Sequence, residues 1–243
     1  HDTIHETFPE IINLIDNTLD HKKATLYKAR LIIANSQNTK NDLIQLYNIP
    51  PEKIEITYLA ASINKSQASA SLKVDLPEKY ILFVGNRDFY KNFNNFILGG
   101  SLFTNEEKRF FQSKQLENKI LYKAADDITL ATLYTNALAF VFPTLYEGFG
   151  IPALEAMNCD CPVVMSNTSS LPEVGGEAAI YFDPNNIDDM REKIKSVIIN
   201  KDLRDDLILK AKTQRQKFSF EKTAIETKKI YEKLLNNSPY EKI

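Results

Sequence analysis

Seven short apolar runs recur along the chain, and helical patterns lie between most of them. The runs are ARLIIA (29–34), KIEITY (53–58), KYILFVG (79–85), NKILYK (118–123), ALAFVF (137–142), CPVVMS (161–166) and AAIYFD (178–183). Most are almost continuously apolar, as strands are when both of their faces are covered. Apolar residues at helical spacing occupy 36–48, 129–137, 152–158, 188–200, 201–218 and 221–235. This alternation restricts the chain to an α/β fold with parallel sheets.

The punctuation refines that reading. Ser36 and Asp188 are expected helix caps, each a short polar side chain opening a periodic segment and able to accept from free N–H groups. The stretch INKSQASASLKVDLPE (63–78) is polar and aperiodic and precedes a strong strand, so it is read as an interdomain linker. At 92–111, NFNNFILGGSLFTNEEKRFF passes from a helix-like start to LGGS with no room for a full helix and strand. Either that unit is shortened or residues are missing near 98–99. The 243 residues suffice for one large domain or two smaller ones.

Charge and cysteine usage exclude several classes. With 30 basic and 32 acidic residues, the net charge of −2 gives no reason to expect a nucleic-acid partner. Cys159 and Cys161 are too close in sequence for an unstrained mutual disulfide, and no second Cys/His cluster completes a zinc site. They are read as reduced core residues of a cytoplasmic protein. No stretch reaches the roughly 18 apolar residues of a membrane span. The chain opens HDTIHETFPE, without methionine, and is expected to be the later part of a longer polypeptide.

The sharpest chemistry lies in LYEGFGIPALEAM (145–157). It joins an apolar strand to a helix, with Pro152 suited to the first helical turn. Glu147 therefore lies on the loop at the carboxyl end of a parallel strand, where ligands bind. Glu155 lies in the first or second turn of the helix. Gly148 and Gly150 let a ligand approach the backbone, and the helix start offers free N–H groups suited to phosphate oxygens. Carboxylates would repel phosphate, but they accept hydrogen bonds from sugar hydroxyls. Phosphate on amides, flanked by two hydroxyl-binding acids, describes a nucleotide diphosphate sugar. The plainer alternative is that Glu147 caps the loop and Glu155 is an ordinary helix residue.

A second element complements the first. YILFVGNRDFYKN (80–92) puts Gly85 at the end of a strong strand, followed by Arg87 and Lys91. A guanidinium fork and a mobile ammonium could neutralise a diphosphate and stabilise it as it leaves. A solvated basic loop is the alternative for these two residues taken alone. No Asp-x-Asp pair suggests a metal-bound diphosphate; the DD pairs at 126–127 and 188–189 read as loop or cap. No metal and no cofactor is expected, the nucleotide diphosphate sugar being a co-substrate.

Taken together, YILFVGNRDFYKNF, LATLYTNALAFVFPTLYEGFGIPALEAM, PVVMSNTSSLPEV and AAIYFDP resemble the retaining glycosyltransferases of the GT-B fold, family 4 (glycosyl transferases group 1). Those enzymes carry a Glu-x7-Glu motif, matched by Glu147 and Glu155. ANSQNTKNDLIQLYNIPPEKIEITY resembles the end of the family's N-terminal domain, and FSFEKTAIETKKIYEKLL its closing helix. The resemblance implies two Rossmann-like domains with parallel sheets, the N-terminal one only partly present. Residues 1–63 would end that acceptor-side domain, 64–218 would form the donor-binding domain, and 219–243 would cross back as the closing helix. It further implies that Glu155 binds the donor's ribose and Glu147 the transferred sugar. Arg87 and Lys91 would bind the diphosphate with help from the N–H groups of Phe149 and Gly150, and His1 would face the sugar. Ser36 would sit near the cleft.

The implied activity is sugar transfer, of mannose or another hexose, to a hydroxyl of a glycan or lipid-linked acceptor in cell-surface polysaccharide synthesis. Peripheral association with the inner membrane face would go with such an acceptor. A nucleotide-sugar epimerase on the same scaffold and a non-catalytic nucleotide-sugar binding module are the competing readings. Three departures from the family pattern stand out: Asp160 where glycine is usual, Phe220 where tryptophan is usual, and ITYLAAS (56–62) in place of a glycine-containing turn.

Overall fold

The computed structural model describes residues 2–9, 18–72, 76–85, 89–92, 103–117 and 119–236. In chain order its elements are α1 (Ile4–Thr7), α2 (Thr18–Lys28), β1 (Ile32–Ala34), α3 (Gln37–Tyr47), β2 (Ile54–Ile56), β3 (Ile81–Leu82), α4 (Asn105–Ser113), α5 (Asp127–Asn136), β4 (Ala139–Phe142), α6 (Ile151–Asn158), β5 (Val163–Ser166), α7 (Leu171–Gly175), β6 (Ala179–Phe182), α8 (Ile187–Ile199), α9 (Lys201–Gln214) and α10 (Phe220–Asn236). β1 and β2 form one parallel pair, with Ile32 opposite Ile54 and Ala34 opposite Ile56. The other sheet has the order β3-β4-β5-β6, and all of its pairings are parallel.

The central strands show why their runs are continuous. Every residue of β4 and β5 is buried. Side chains alternate between faces. Phe140, Phe142, Val163 and Met165 pack with Tyr134 of α5, Met157 of α6 and Leu171 of α7. Ala139, Val141 and Val164 pack with Phe111 of α4 and Met190 and Val197 of α8. Full burial of a side chain such as Phe140 contributes roughly 2–3 kcal/mol.

Several sequence expectations are corrected. The run 118–123 is not a strand: residues 120–126 form no regular element, with Ile120 buried and Leu121 exposed. A strand needs a neighbour for its N–H and C=O groups. Here this stretch and β3 both line an apolar cavity of about 730 Å3, and β3 pairs only with β4 among the described residues. Residues 93–102, half of the cramped segment, lie outside the described residues. α4 follows them, opened by a capping box in which Thr104 and Glu107 exchange backbone-to-side-chain bonds of 3.2 and 2.7 Å.

The cap of α8 is Asn186, whose Oδ1 accepts from the N–H groups of Asp188 and Asp189, both at 3.1 Å. Asp188 is the second residue of the helix, in its first turn, and pairs with Arg191 at 2.9 Å. Ser36 does cap α3, accepting from the Thr39 N–H at 3.0 Å. The stretch read as a linker packs onto the larger sheet's layer: Ile63 is buried in its core, and the Ser69 N–H donates to Thr132 Oγ1 of α5.

Asp160 keeps a left-handed backbone (φ 55°) at the turn after α6, the conformation for which glycine is favoured. Arg215 at 3.1 Å and Lys65 at 3.1 Å hold its carboxylate. α10 returns to the small sheet, where Thr223 Oγ1 donates to the Tyr58 carbonyl at 2.7 Å and Lys233 pairs with Glu55.

Candidate active site

The loop between β4 and α6 carries Glu147, and its shape is fixed from below. The Glu147 N–H donates to Ser169 Oγ at 2.9 Å. Ser170 Oγ donates to the carbonyls of Glu147 and Phe149, both at 2.9 Å. Gly150 closes the loop at φ +104°, where it is the cap residue of α6; Ile151 and Pro152 follow. Phe149 is buried against Tyr58 and Phe218, with ring centroids 6.1 and 5.6 Å away.

Lys91 arrives from the other loop. It ends a 3-10 turn (Phe89–Lys91) after β3. The Tyr90 carbonyl is tied to the neighbouring loop by the Leu145 N–H at 2.6 Å and Thr144 Oγ1 at 3.1 Å. That docking delivers the Lys91 ammonium onto Glu147, with which it forms a largely buried ion pair. The ammonium also lies 5.1 Å from the centroid of the Tyr90 ring and 5.2 Å from that of Phe142. Burial pushes the Glu147 carboxyl above its ordinary value; Lys91 pulls against that push without overcoming it, and Asp2 adds to it. Gly85, at φ +138°, lies beyond the end of β3. Arg87 and His1 lie outside the described residues.

Glu155 is on α6, two turns from Glu147 in sequence. Its Oε2 accepts from the Tyr134 hydroxyl at 3.2 Å. Partial burial raises its carboxyl to about 6, with Tyr134 acting downward and Asp127 upward.

The small sheet contributes the facing wall. Gly148 meets Asp2 so closely that a Cβ there would lie 2.6 Å from the Asp2 Cβ. The Gly148 carbonyl accepts from Ser36 Oγ at 2.7 Å and from Thr39 Oγ1 at 3.3 Å. Tyr146 next door donates to Asp42 Oδ2 at 2.5 Å and lies 2.6 Å from the hydroxyl of buried Thr3. Glu173 of α7 reaches across as well, taking the Gln37 N–H at the start of α3 with both oxygens, at 2.5 and 2.9 Å. Sequence reasoning placed Ser36 near this wall but missed Asp2, Thr3, Asp42, Tyr146, Ser169, Ser170 and Glu173. The hydroxyl-rich SNTSS before α7 was the available signal.

Glu173 sits where the α3 dipole favours an anion. Glu173→Ala is expected to cost about 1–2 kcal/mol, hence to lower the melting temperature by roughly 3–6 °C. A calorimetric scan unchanged by the substitution would show that this contact contributes nothing.

The structure brings Lys91 onto Glu147 on the loop that leads into α6, whereas Glu155, further along that helix, meets Tyr134 of α5. Amides and ammonium suit anionic oxygens; the carboxylates suit hydroxyls. Among the described residues, no three His, Cys, Asp or Glu side chains converge as a metal-ligating group, and no helix is long and apolar enough to cross a membrane. Cys159 and Cys161 are both buried and free, and burial pushes their thiols upward.

Residues 90–214 match the family model described as glycosyl transferases group 1. The chain is 29% identical over 237 residues to the O-antigen chain mannosyltransferase B of Escherichia coli, an alignment covering 86% of this chain and 62% of that protein. Among solved structures, a glycosyltransferase from Rickettsia africae ESF-5 superposes with a TM-score of 0.74 at 20% identity, over 93% of this chain and 69% of that one. The Anabaena HepE protein in complex with UDP and glucose superposes with a TM-score of 0.69 at 17% identity, over 94% and 69%. These likenesses show the fold: α/β with parallel sheets, of the GT-B type. The chain thus spans less than two thirds of the mannosyltransferase's length.

Proposed function

The chain belongs to the glycosyl transferases group 1, and from that premise we propose that it carries the donor site of a retaining hexosyltransferase of polysaccharide synthesis. The donor is a nucleotide diphosphate sugar, with mannose the first candidate for the hexose because the Escherichia coli relative is named a mannosyltransferase. The acceptor is a hydroxyl of a glycan or lipid-linked saccharide, reached by a cytoplasmic protein associated peripherally with the membrane. The observation that carries this reading is the Lys91–Glu147 pair at the mouth of the β4–α6 loop. A cation and a carboxylate there can serve the diphosphate and the transferred sugar respectively.

The proposed division of labour follows charge. As the glycosidic bond breaks, negative charge grows on the departing diphosphate and positive charge on the sugar ring. Lys91, Arg87 and the amides of Phe149 and Gly150 stabilise the former. Glu147 orients the sugar's hydroxyls, and Glu155, whose Oε2 takes the Tyr134 hydroxyl, accepts from the ribose through its other oxygen. Two cations and a helix start supply the charge that a metal would otherwise bring.

Thermal denaturation with UDP, GDP, dTDP and ADP tests this donor site. At about 100 times its Kd, the correct nucleotide is expected to add about 2.7 kcal/mol, or roughly 5–10 °C. If none of the four moves the transition at millimolar concentration, the reading fails.

A further inference from the structure

We propose that Tyr134 is a positioning residue for the donor site: its hydroxyl, locked in the core, donates to one oxygen of Glu155 and keeps the other turned outward as an ionised acceptor. The inference rests on the donor-site reading above. Neither the family match nor the resemblance assigns Tyr134 a role.

Tyr134 is fully buried on α5, with its ring edge-on to Phe140 at a centroid distance of 5.4 Å. Phe140 in turn lies against Phe142 at 5.5 Å. A tyrosine ring so enclosed cannot follow a wandering carboxylate; the carboxylate must come to it. A buried phenol also needs a hydrogen-bond partner, and the one it has is Glu155 Oε2 at 3.2 Å. Burial and the adjoining carboxylate hold the phenol proton firmly, so Tyr134 remains a donor throughout the range in which Glu155 titrates. A carboxylate is an acceptor only. The bond therefore has a fixed direction and is stronger when Glu155 is ionised.

The other groups around Glu155 explain why such a donor is needed. Asp127, at the start of α5, opposes ionisation, as does partial burial. Cys159, one turn further along α6, is a buried neutral thiol. Arg215 donates to the carbonyls of Met157 and Asn158 at the far end of α6, at 2.9 and 3.3 Å, and to the Asp160 carboxylate at 3.1 Å. Among the described residues, the phenol is the group that favours the acceptor form.

The test reads Glu155 directly, by carbon-13 NMR of carboxyl-labelled glutamate, with the resonance assigned by its loss in Glu155→Gln. In Tyr134→Phe the titration midpoint is expected to rise by about one pH unit, the shift that one hydrogen bond to an ionised group supports. In Asp127→Asn it is expected to fall. Affinity for the nucleoside diphosphate found in the melting screen should follow. Tyr134→Phe is expected to bind up to about tenfold more weakly near pH 6 and to regain wild-type affinity near pH 8. A purely structural role would instead weaken binding equally at every pH.

A folded Tyr134→Phe protein with an unmoved midpoint overturns the proposal. Should that variant not fold, the wild type still decides. A tyrosine Cζ resonance must titrate with the Glu155 midpoint and stop titrating in Glu155→Gln; the lack of one is equally fatal. Wild-type affinity in Glu155→Gln at all pH values would overturn the donor-site assignment of Glu155 instead, whatever the midpoints do.

Discussion

Lys91→Ala is expected to cost about 3 kcal/mol of stability at pH 8, because it strands the Glu147 carboxylate in a largely dry pocket. The figure is at the low end for one lost partner because both side chains keep slight exposure, 12% and 11%. The companion result is non-additive. Lys91→Ala/Glu147→Gln should recover most of the loss, since no unpaired charge is then left inside. The deficit also depends on pH, with a definite sign. Burial already holds the folded Glu147 carboxyl above its ordinary value of 4.5, and Lys91 restrains the rise. Without Lys91 the folded value climbs further. A carboxyl raised by folding contributes stability below its unfolded value and loses it as the pH passes up through the folded one. The variant should therefore approach the wild type near pH 4 and fall away from it above neutrality. Urea titrations of the wild type, Lys91→Ala, Glu147→Gln and the double variant at pH 4, 6 and 8 measure all of this. A deficit that is independent of pH, or that simply adds in the double variant, would show that the pair is not a buried ion pair in solution. Nucleoside diphosphate affinity should fall with Lys91→Ala at every pH, since Glu147 contributes no positive charge to replace it.

How far the sequence reaches here depends on whether the information is local. The strand at 137–142 and the helix at 151–158 were legible because burial on both faces demands continuous apolar residues, and because Gly150 and Pro152 fix where the helix starts. Glu147 and Lys91 were legible as types of chemistry. Their contact was not, since it depends on the Tyr90 carbonyl docking onto Thr144 and Leu145, 54 or more residues away along the chain. The run at 118–123 has strand composition, yet a strand exists only with a partner, and its described residues line a cavity beside β3 without pairing to it. The cluster of Thr3, Asp42 and Tyr146 left no trace in any single window. Each residue reads as a cap, a surface acid or a core aromatic until the chain brings them within 2.5–2.8 Å of one another. Asp160 is the reverse case: glycine is usual in the family at this position, and an aspartate held by Arg215 takes the left-handed backbone that favours glycine.

Gly150→Ala is expected to remove about 3 kcal/mol of stability by two separable causes. The backbone at φ +104° lies where a side chain is strained, a cost of about 1–3 kcal/mol. The added Cβ would also stand 2.7 Å from Cδ2 of Leu171, a fully buried side chain with little space to retreat into. Shortening that neighbour separates the causes. Leu171→Ala alone should cost about 2–5 kcal/mol as a core cavity. In the double variant the new methyl enters that cavity, so the combined loss should fall short of the sum of the single losses by about the steric share, with the backbone strain remaining. Full additivity in chemical denaturation would mean that Leu171 is not the obstacle. The functional consequence is larger than the loss of stability. Gly150 is the residue at which the β4–α6 loop becomes helix, so any adjustment there re-aims the amides of Phe149 and Gly150 together with Glu147. Hydrogen-bond acceptance by a phosphate depends steeply on such angles, and a misplacement of about 1 Å can cost on the order of 100-fold in turnover. Folded Gly150→Ala protein, assayed at low temperature where the stability loss is tolerated, is therefore expected to bind nucleoside diphosphate at least about tenfold more weakly than the wild type. Unchanged affinity would separate this helix start from the phosphate and move the anion site elsewhere on the molecule.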